Sequence, residues 1–164
     1  TAVMQLYNKG VIKNAESISK GFANVCELTG LMGRWQKLLT NPLVICDTGH
    51  NVGGWTYLSQ QIKRQQCKQK RIVFGMVDDK DLHAVMSMLP DDAIYYWTQP
   101  STHRAFPAEK VAETADDYDL HGIVFPTVLD AYQAALHDAA QSDFIFVGGS
   151  SYVVADLLTS LQKK

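Results

Sequence analysis

Four polar clusters in this chain each follow a short apolar run, and their side chains suit anion binding and proton traffic. Leu43-Val44-Ile45-Cys46 leads into Asp47-Thr48-Gly49-His50-Asn51-Val52-Gly53-Gly54. Arg71-Ile72-Val73-Phe74 leads into Gly75-Met76-Val77-Asp78-Asp79-Lys80-Asp81. Ala93-Ile94-Tyr95-Tyr96-Trp97 leads into Thr98-Gln99-Pro100-Ser101-Thr102-His103-Arg104, and Phe144-Ile145-Phe146-Val147 into Gly148-Gly149-Ser150-Ser151. Together they bring carboxylates, a lysine, an arginine, two histidines, and glycines that let backbone approach a ligand. Each also has a plain structural reading. Asp47 can cap a following helix, and Gly148-Gly149-Ser150 can be a tight turn. Asp78, Asp79 and Asp81 suit the first turn of a helix, where the dipole favours negative charge. The functional reading rests on all four clusters falling on one edge of one sheet.

The apolar runs place them there. They read as strands over 43–46, 71–74, 93–97 and 144–147, with a weaker one over 122–125. Most are apolar on both faces, as a parallel sheet covered by helices requires. Helices are expected over 53–68, 80–89, 107–116, 127–140 and 151–162. In the first, Trp55, Leu58 and Ile62 share a face at helical spacing. In the fourth, Val128, Leu129, Tyr132, Ala135 and Leu136 do so. Strand and helix alternating five times predicts an α/β fold, a mostly parallel, doubly wound, Rossmann-like sheet. In such sheets ligands bind beyond the carboxyl ends of the strands. Tyr95-Tyr96-Trp97 reads as core, and His83 and His137 as surface or packing residues of helices. Upstream, Ile12, Ile18, Phe22, Val25 and Leu28 form a helical pattern, with Asn14 or Ser17 as its cap and Gly30 as its stop.

Composition is that of an ordinary globular protein: 164 residues, 46% hydrophobic and 20% charged, with a formal net charge of −2. That balance carries no electrostatic footprint for nucleic acid or a membrane surface. No apolar run is long enough to cross a bilayer, and no signal-peptide pattern opens the chain. Cys26, Cys46 and Cys67 lack metal-ligand spacing, so a reducing, cytoplasmic setting is expected. The chain begins at Thr1, which fits a piece of something longer. No G-x-G-x-x-G follows a strand, and neither a P-loop nor a G-x-S-x-G elbow is present.

The motif set resembles a known family. Gly33-Arg34-x-Gln36, Asp47-x-x-His50-Asn51, Asp79-Lys80-Asp81, His103-Arg104-Ala105 and Gly149-Ser150 occur in the order and approximate spacing found in the folylpolyglutamate synthase/dihydrofolate synthase family of Mur ligases. The match is to the C-terminal domain, over residues 31–164. Residues 1–30 resemble the tail of the preceding ATPase domain. Thr48-Gly49 departs from the Gly-Ala usual before His-Asn in that family, and Thr48 adds bulk beside the ligand.

The resemblance implies an ATP-dependent ligase in which a substrate carboxylate is phosphorylated and the amine of L-glutamate attacks the acyl phosphate. The acceptor would be dihydropteroate or a folate. The P-loop and the Mg2+ ligands would lie mainly in the preceding ATPase domain of the same chain, and the fragment alone would be inactive, with no catalytic residue of its own. By the same resemblance Arg34 reaches ATP phosphates and Asp47 holds the ATP ribose. His50, Lys80 and Ser150 lie near the incoming glutamate. His103 and Arg104 match the motif without an assigned role, and Asn51 shapes its loop and caps a helix. A monomer is expected, with no nucleic-acid or membrane partner. Two other readings stay open: a Mur-type ligase of cell-wall precursors, and a stand-alone α/β module that binds a nucleotide or other anion. Asp79-Lys80-Asp81 with His103-Arg104-Ala105 favours the folate branch over the cell-wall one.

Overall fold

The computed structural model describes residues 2–78 and 80–162; Asp79 of the second cluster lies outside them. The chain divides into two compact units, Thr1–Arg34 and Trp35–Lys164, where the sequence-based division falls after residue 30.

In the first unit, α1 (Ala2–Asn8) is followed by α2 (Ala15–Ala23) and α3 (Val25–Thr29). Asn14 caps α2 as expected, its side chain accepting the N–H of Glu16 at 2.9 Å. The single helix expected here is broken at Asn24, whose side-chain amide donates to the Lys20 carbonyl at 2.9 Å and so competes with the backbone ladder. Gly30 stops α3 in the left-handed conformation at φ +69°. Helix α1 lies outside the expected helical pattern, which begins at Ile12.

The second unit is a six-stranded sheet among the described residues. Its strands are β1 (Gln36–Leu39), β2 (Leu43–Asp47), β3 (Lys70–Phe74), β4 (Ala93–Trp97), β5 (Gly122–Val124) and β6 (Phe144–Gly148). Their order is β1-β2-β6-β3-β4-β5, all neighbours parallel except the antiparallel pair β1–β2. The helices α4 (Val52–Lys63), α5 (Leu82–Met86), α6 (Ala108–Asp116), α7 (Val128–His137) and α8 (Ser151–Gln162) fall in the expected places. Three are shorter than expected by several residues: α4, α5 and α7, the last of which ends at His137. Arg64 ends α4, and α5 starts only after Asp81, which caps it by accepting the N–H of Ala84 at 2.9 Å.

Strand periodicity divides the core in two. Phe144 and Phe146 face one side, with Ile72, Phe74, Tyr95 and Trp97, and meet Trp55 and Ile62 of α4, Val85 of α5 and Val111 of α6. Ile145 and Val147 face the other side, with Val44, Val73 and Tyr96, and meet Tyr132 of α7 and Leu157 of α8. Helices on both faces make the sheet doubly wound. Trp55 is wholly buried and packs edge-on against Phe74 and Phe146; burying its ring contributes on the order of 5 kcal/mol. Tyr95, Tyr96 and Trp97 are at most 1% exposed, so they are core. The weak pattern of β5 has its cause in position: it is an edge strand of three residues, all exposed. Among the described residues no helix is long and apolar enough to cross a membrane.

Candidate functional site

The carboxyl ends of β2, β6, β3 and β4 lie side by side, so the four polar clusters share one edge. Pairing persists just beyond the strands: the N–H of Gly75 donates to the Gly148 carbonyl at 3.3 Å, and that of Thr98 to the Phe74 carbonyl at 2.9 Å. At Gly149 the backbone turns at φ +102°, and a Cβ there would stand 2.5 Å from the Gly75 carbonyl oxygen. Only glycine allows the β6 loop to pass this close to the β3 loop.

The loops after β3 and β4 are further joined as a short ribbon. The N–H of Asp78 donates to the Arg104 carbonyl at 2.8 Å, and that of Phe106 to the Met76 carbonyl at 3.0 Å. Val77 and Ala105 form an antiparallel bridge between them.

Around β2, the Asp47 carboxylate accepts two main-chain N–H groups, from Trp35 at 2.6 Å and Gly49 at 2.8 Å. His50 Nδ1 lies 3.0 Å from the Thr48 carbonyl. A carbonyl only accepts, so Nδ1 carries the proton and, in the neutral ring, Nε2 presents a lone pair. Asn51 caps α4, accepting the N–H of Gly54 at 2.8 Å. Ser150, 1% exposed, caps α8: its Oγ accepts the N–H of Tyr152 at 3.0 Å. That leaves the hydroxyl hydrogen to donate elsewhere.

His50, Lys80 and Ser150 line one cleft of 230 Å³, together with Val77, Arg104, Ser151 and Tyr152. All three residues expected near glutamate are thus brought together. Asp47 stands at the end of the strand that carries His50 and does not line the cleft. Arg34 belongs to the N-terminal unit, where its guanidinium lies 3.5 Å from the Gly33 carbonyl. His103 is exposed and outside the cleft lining. Arg104 is the residue that sequence reasoning left without a role; its signal was the His103-Arg104-Ala105 motif, and the loop ribbon supplies its place. Lys80 and Arg104 give the cleft lining two cationic side chains, and among the described residues no carboxylate lines it. Nor do they contain a group of three or more His, Cys, Asp or Glu that could hold a metal ion.

A larger groove of 460 Å³ lies between α7, α8 and the loop after β4. Its charged lining residue, Asp156, accepts both the N–H and the hydroxyl of Ser101, at 2.6 and 2.7 Å. His83 and His137 are exposed on helices, away from both clefts.

Residues 33–151 match the model of the Mur ligase glutamate ligase domain. The chain belongs to that family. Among its relatives, the dihydrofolate synthase/folylpolyglutamate synthase of Escherichia coli K12 is 29% identical over 160 residues, covering 96% of this chain and 36% of the relative. The enzyme of the same name from Buchnera aphidicola of Schizaphis graminum is 26% identical over 165 residues, covering 96% and 37%. The chain therefore spans just over a third of the curated relatives it matches. In structure it resembles E. coli FolC in complex with DHPP and ADP, with TM-score 0.74, 29% identity, and coverage of 81% of this chain and 32% of that one. It also resembles the Yersinia pestis folylpolyglutamate synthase/dihydrofolate synthase with Mn, AMPPNP and L-glutamate bound, with TM-score 0.72, 29% identity, and coverage of 80% and 32%. In this glutamate ligase domain, Thr48 is half-buried and its Oγ1 has no hydrogen-bond partner. The extra bulk is accommodated within the loop, whose Thr48 carbonyl orients His50.

Proposed function

We propose that this chain is the C-terminal domain of an ATP-dependent ligase that joins L-glutamate to dihydropteroate or a folate through an acyl phosphate. The observation that carries the reading is the cationic cleft uniting His50, Lys80 and Ser150 in a domain of the glutamate ligase family. The relatives named for folate chemistry support the choice of acceptor over a cell-wall precursor.

The domain's part is to bind and orient. Lys80 supplies charge for a glutamate carboxylate, and Ser150 donates its hydroxyl hydrogen to the same ligand. His50 offers the Nε2 lone pair to the amine, which must lose protons before it attacks the acyl carbon and expels phosphate. Asp47 retains unused lone pairs beside its two N–H partners and accepts the ribose hydroxyls of ATP. Arg34 offers its donor fork to the ATP phosphates. An acyl phosphate left in water is hydrolysed, so a domain that closes over it protects the reaction. Holding amine and acyl phosphate together supplies up to roughly 7–11 kcal/mol of the barrier reduction. Mg2+ accompanies ATP and neutralises phosphate charge, and in this reading its ligands belong mainly to the preceding ATPase domain. The protein is a cytoplasmic monomer in this proposal.

A self-sufficient anion- or nucleotide-binding module is the second reading, favoured by the cleft's lining lying wholly within one compact unit. Calorimetric titration of the chain with an ATP analogue and Mg2+, then with glutamate, separates the two. The ligase reading expects absent or millimolar nucleotide binding, because the site is shared with another domain. Micromolar binding would favour the module.

A further inference from the structure

We propose that the 460 Å³ groove between α7, α8 and the loop after β4 binds a small aliphatic amine, seating its ammonium group on Asp156.

Charge supplies the first argument. Among the described residues Asp156 is the one charged member of the lining, and no cation lines the groove. Its other polar lining groups are hydroxyls and the Gln99 amide, which are neutral. A fixed negative charge in a concave surface favours a cation over an anion. The volume falls within the range that small molecules occupy, about 300–1,000 Å³.

The placement of hydrogens supplies the second. Asp156 Oδ2 accepts the main-chain N–H of Ser101 at 2.6 Å, and Oδ1 accepts its hydroxyl hydrogen at 2.7 Å. A carboxylate has about four acceptor positions, so roughly half remain for a ligand. Ser101 Oγ has given up its hydrogen to Asp156 and keeps only lone pairs to offer. Thr127 repeats the arrangement: its hydroxyl donates to Asp130 Oδ2 at 2.6 Å and accepts the Asp130 N–H at 3.1 Å. It too has only acceptor capacity left. An ammonium group brings three donors and no acceptor, which matches such a wall. A carboxylate or phosphate would meet lone pairs there.

The setting of the seat supplies the third. Thr127 caps α7, and the positive end of that helix would oppose a cation; the Asp130 carboxylate in its first turn offsets it. Pro100, Val128 and Leu129 give the groove an apolar wall for the carbon chain. The two bonds from Ser101 to Asp156 tie the loop after β4 to α8, so the seat exists before a ligand enters. Preorganisation of this kind lowers the ordering cost of binding.

Titration of the chain with n-pentylammonium, followed through its amide resonances in potassium chloride buffer, tests the assignment. The neutral alcohol n-pentanol, of the same chain length, is the control. Pentylammonium should shift the amides of Ser101, Thr127 and Asp156 together and saturably, and pentanol should bind roughly tenfold more weakly or worse. Asp156→Asn removes the charge but keeps an acceptor for Ser101, and should weaken pentylammonium binding by a similar factor. Thr159 is exposed and lines the groove. Thr159→Lys sets an ammonium one helical turn from Asp156 and should abolish binding; it also serves as the test if the asparagine variant does not fold. No saturable shift at the three amides would overturn the proposal. So would equal binding of pentanol, or an unchanged response in folded Asp156→Asn or Thr159→Lys. Potassium alone producing the same shifts, with nothing added by the amine, would also overturn it.

Discussion

The carboxylate of Asp47 accepts the main-chain N–H of Trp35 at 2.6 Å, joining the end of β2 to the residue that opens β1. Trp35 adopts φ +44°, a conformation that bulky residues rarely take. A charged acceptor on its N–H helps hold it there, and stacking of its ring on Phe144 at 6.4 Å holds the other end. The second carboxylate oxygen takes the N–H of Gly49 and shapes the loop that carries His50. Asp47 is therefore a structural clamp before any ligand arrives, and its remaining lone pairs are what the proposed ribose contact would use.

Asp47→Ala should accordingly do two things. Losing two hydrogen bonds to a half-buried carboxylate should lower stability by about 2 kcal/mol, read from urea unfolding of the chain. In the complete ligase the KM for ATP should rise. A destabilised variant with an unchanged ATP KM would leave Asp47 as a clamp only and remove it from the nucleotide site.

Lys80→Ala should weaken the use of glutamate more than that of ATP, because Lys80 shares its cleft with His50 and Ser150 rather than with Asp47. A loss of roughly tenfold or more in glutamate KM is expected for a charged contact. The ranking is checked by measuring both KM values in the same preparation; the reverse order would reject the role.

Gly149→Ala should destabilise the chain by about 2–4 kcal/mol. The added methyl meets the Gly75 carbonyl at 2.5 Å, and φ +102° is strained for any side chain. Chemical denaturation measures this directly. A change below about 1 kcal/mol would mean that the β3 and β6 loops separate easily, contrary to their close approach here.

Stability should fall at alkaline pH. Burial keeps the Tyr95 phenol protonated well above its ordinary pKa of 10.0, and the charges of Asp92 and Asp91 add to the effect. Its hydroxyl donates to the Pro90 carbonyl. The folded pKa is the higher one, so this contribution is complete below pH 10 and is lost as pH rises beyond it. Tyr95→Phe should cost about 1 kcal/mol at neutral pH and flatten the decline above pH 10. Equal slopes for the two proteins between pH 10 and 11 would contradict the account.

Much of this fold is written locally. β3 and β6 are bounded apolar runs, and Trp55, Leu58 and Ile62 repeat at helical spacing, so strand, helix and their alternation follow from near neighbours alone. Asn14, Asn51 and Asp81 announce helix starts because a cap is a contact across two or three residues. β1 is different. Gln36-Lys37-Leu38-Leu39 has no strong period of its own, and it becomes a strand by pairing with β2 at Gln36–Cys46 and Lys37–Ile45.

The site divides in the same way. His50, Lys80 and Ser150 were legible because each follows a recognisable strand, and ligands gather beyond strand ends. Two things were decided only in three dimensions: the second duty of Asp47 and the entry of Arg104 into the cleft. Each depends on hydrogen bonds between segments distant in sequence, Trp35 with Asp47 and Asp78 with Arg104 among them. Sequence periodicity records how a segment meets its own neighbours and the core. Which loop lies against which is set by strand order, and that emerges only when the whole sheet has assembled.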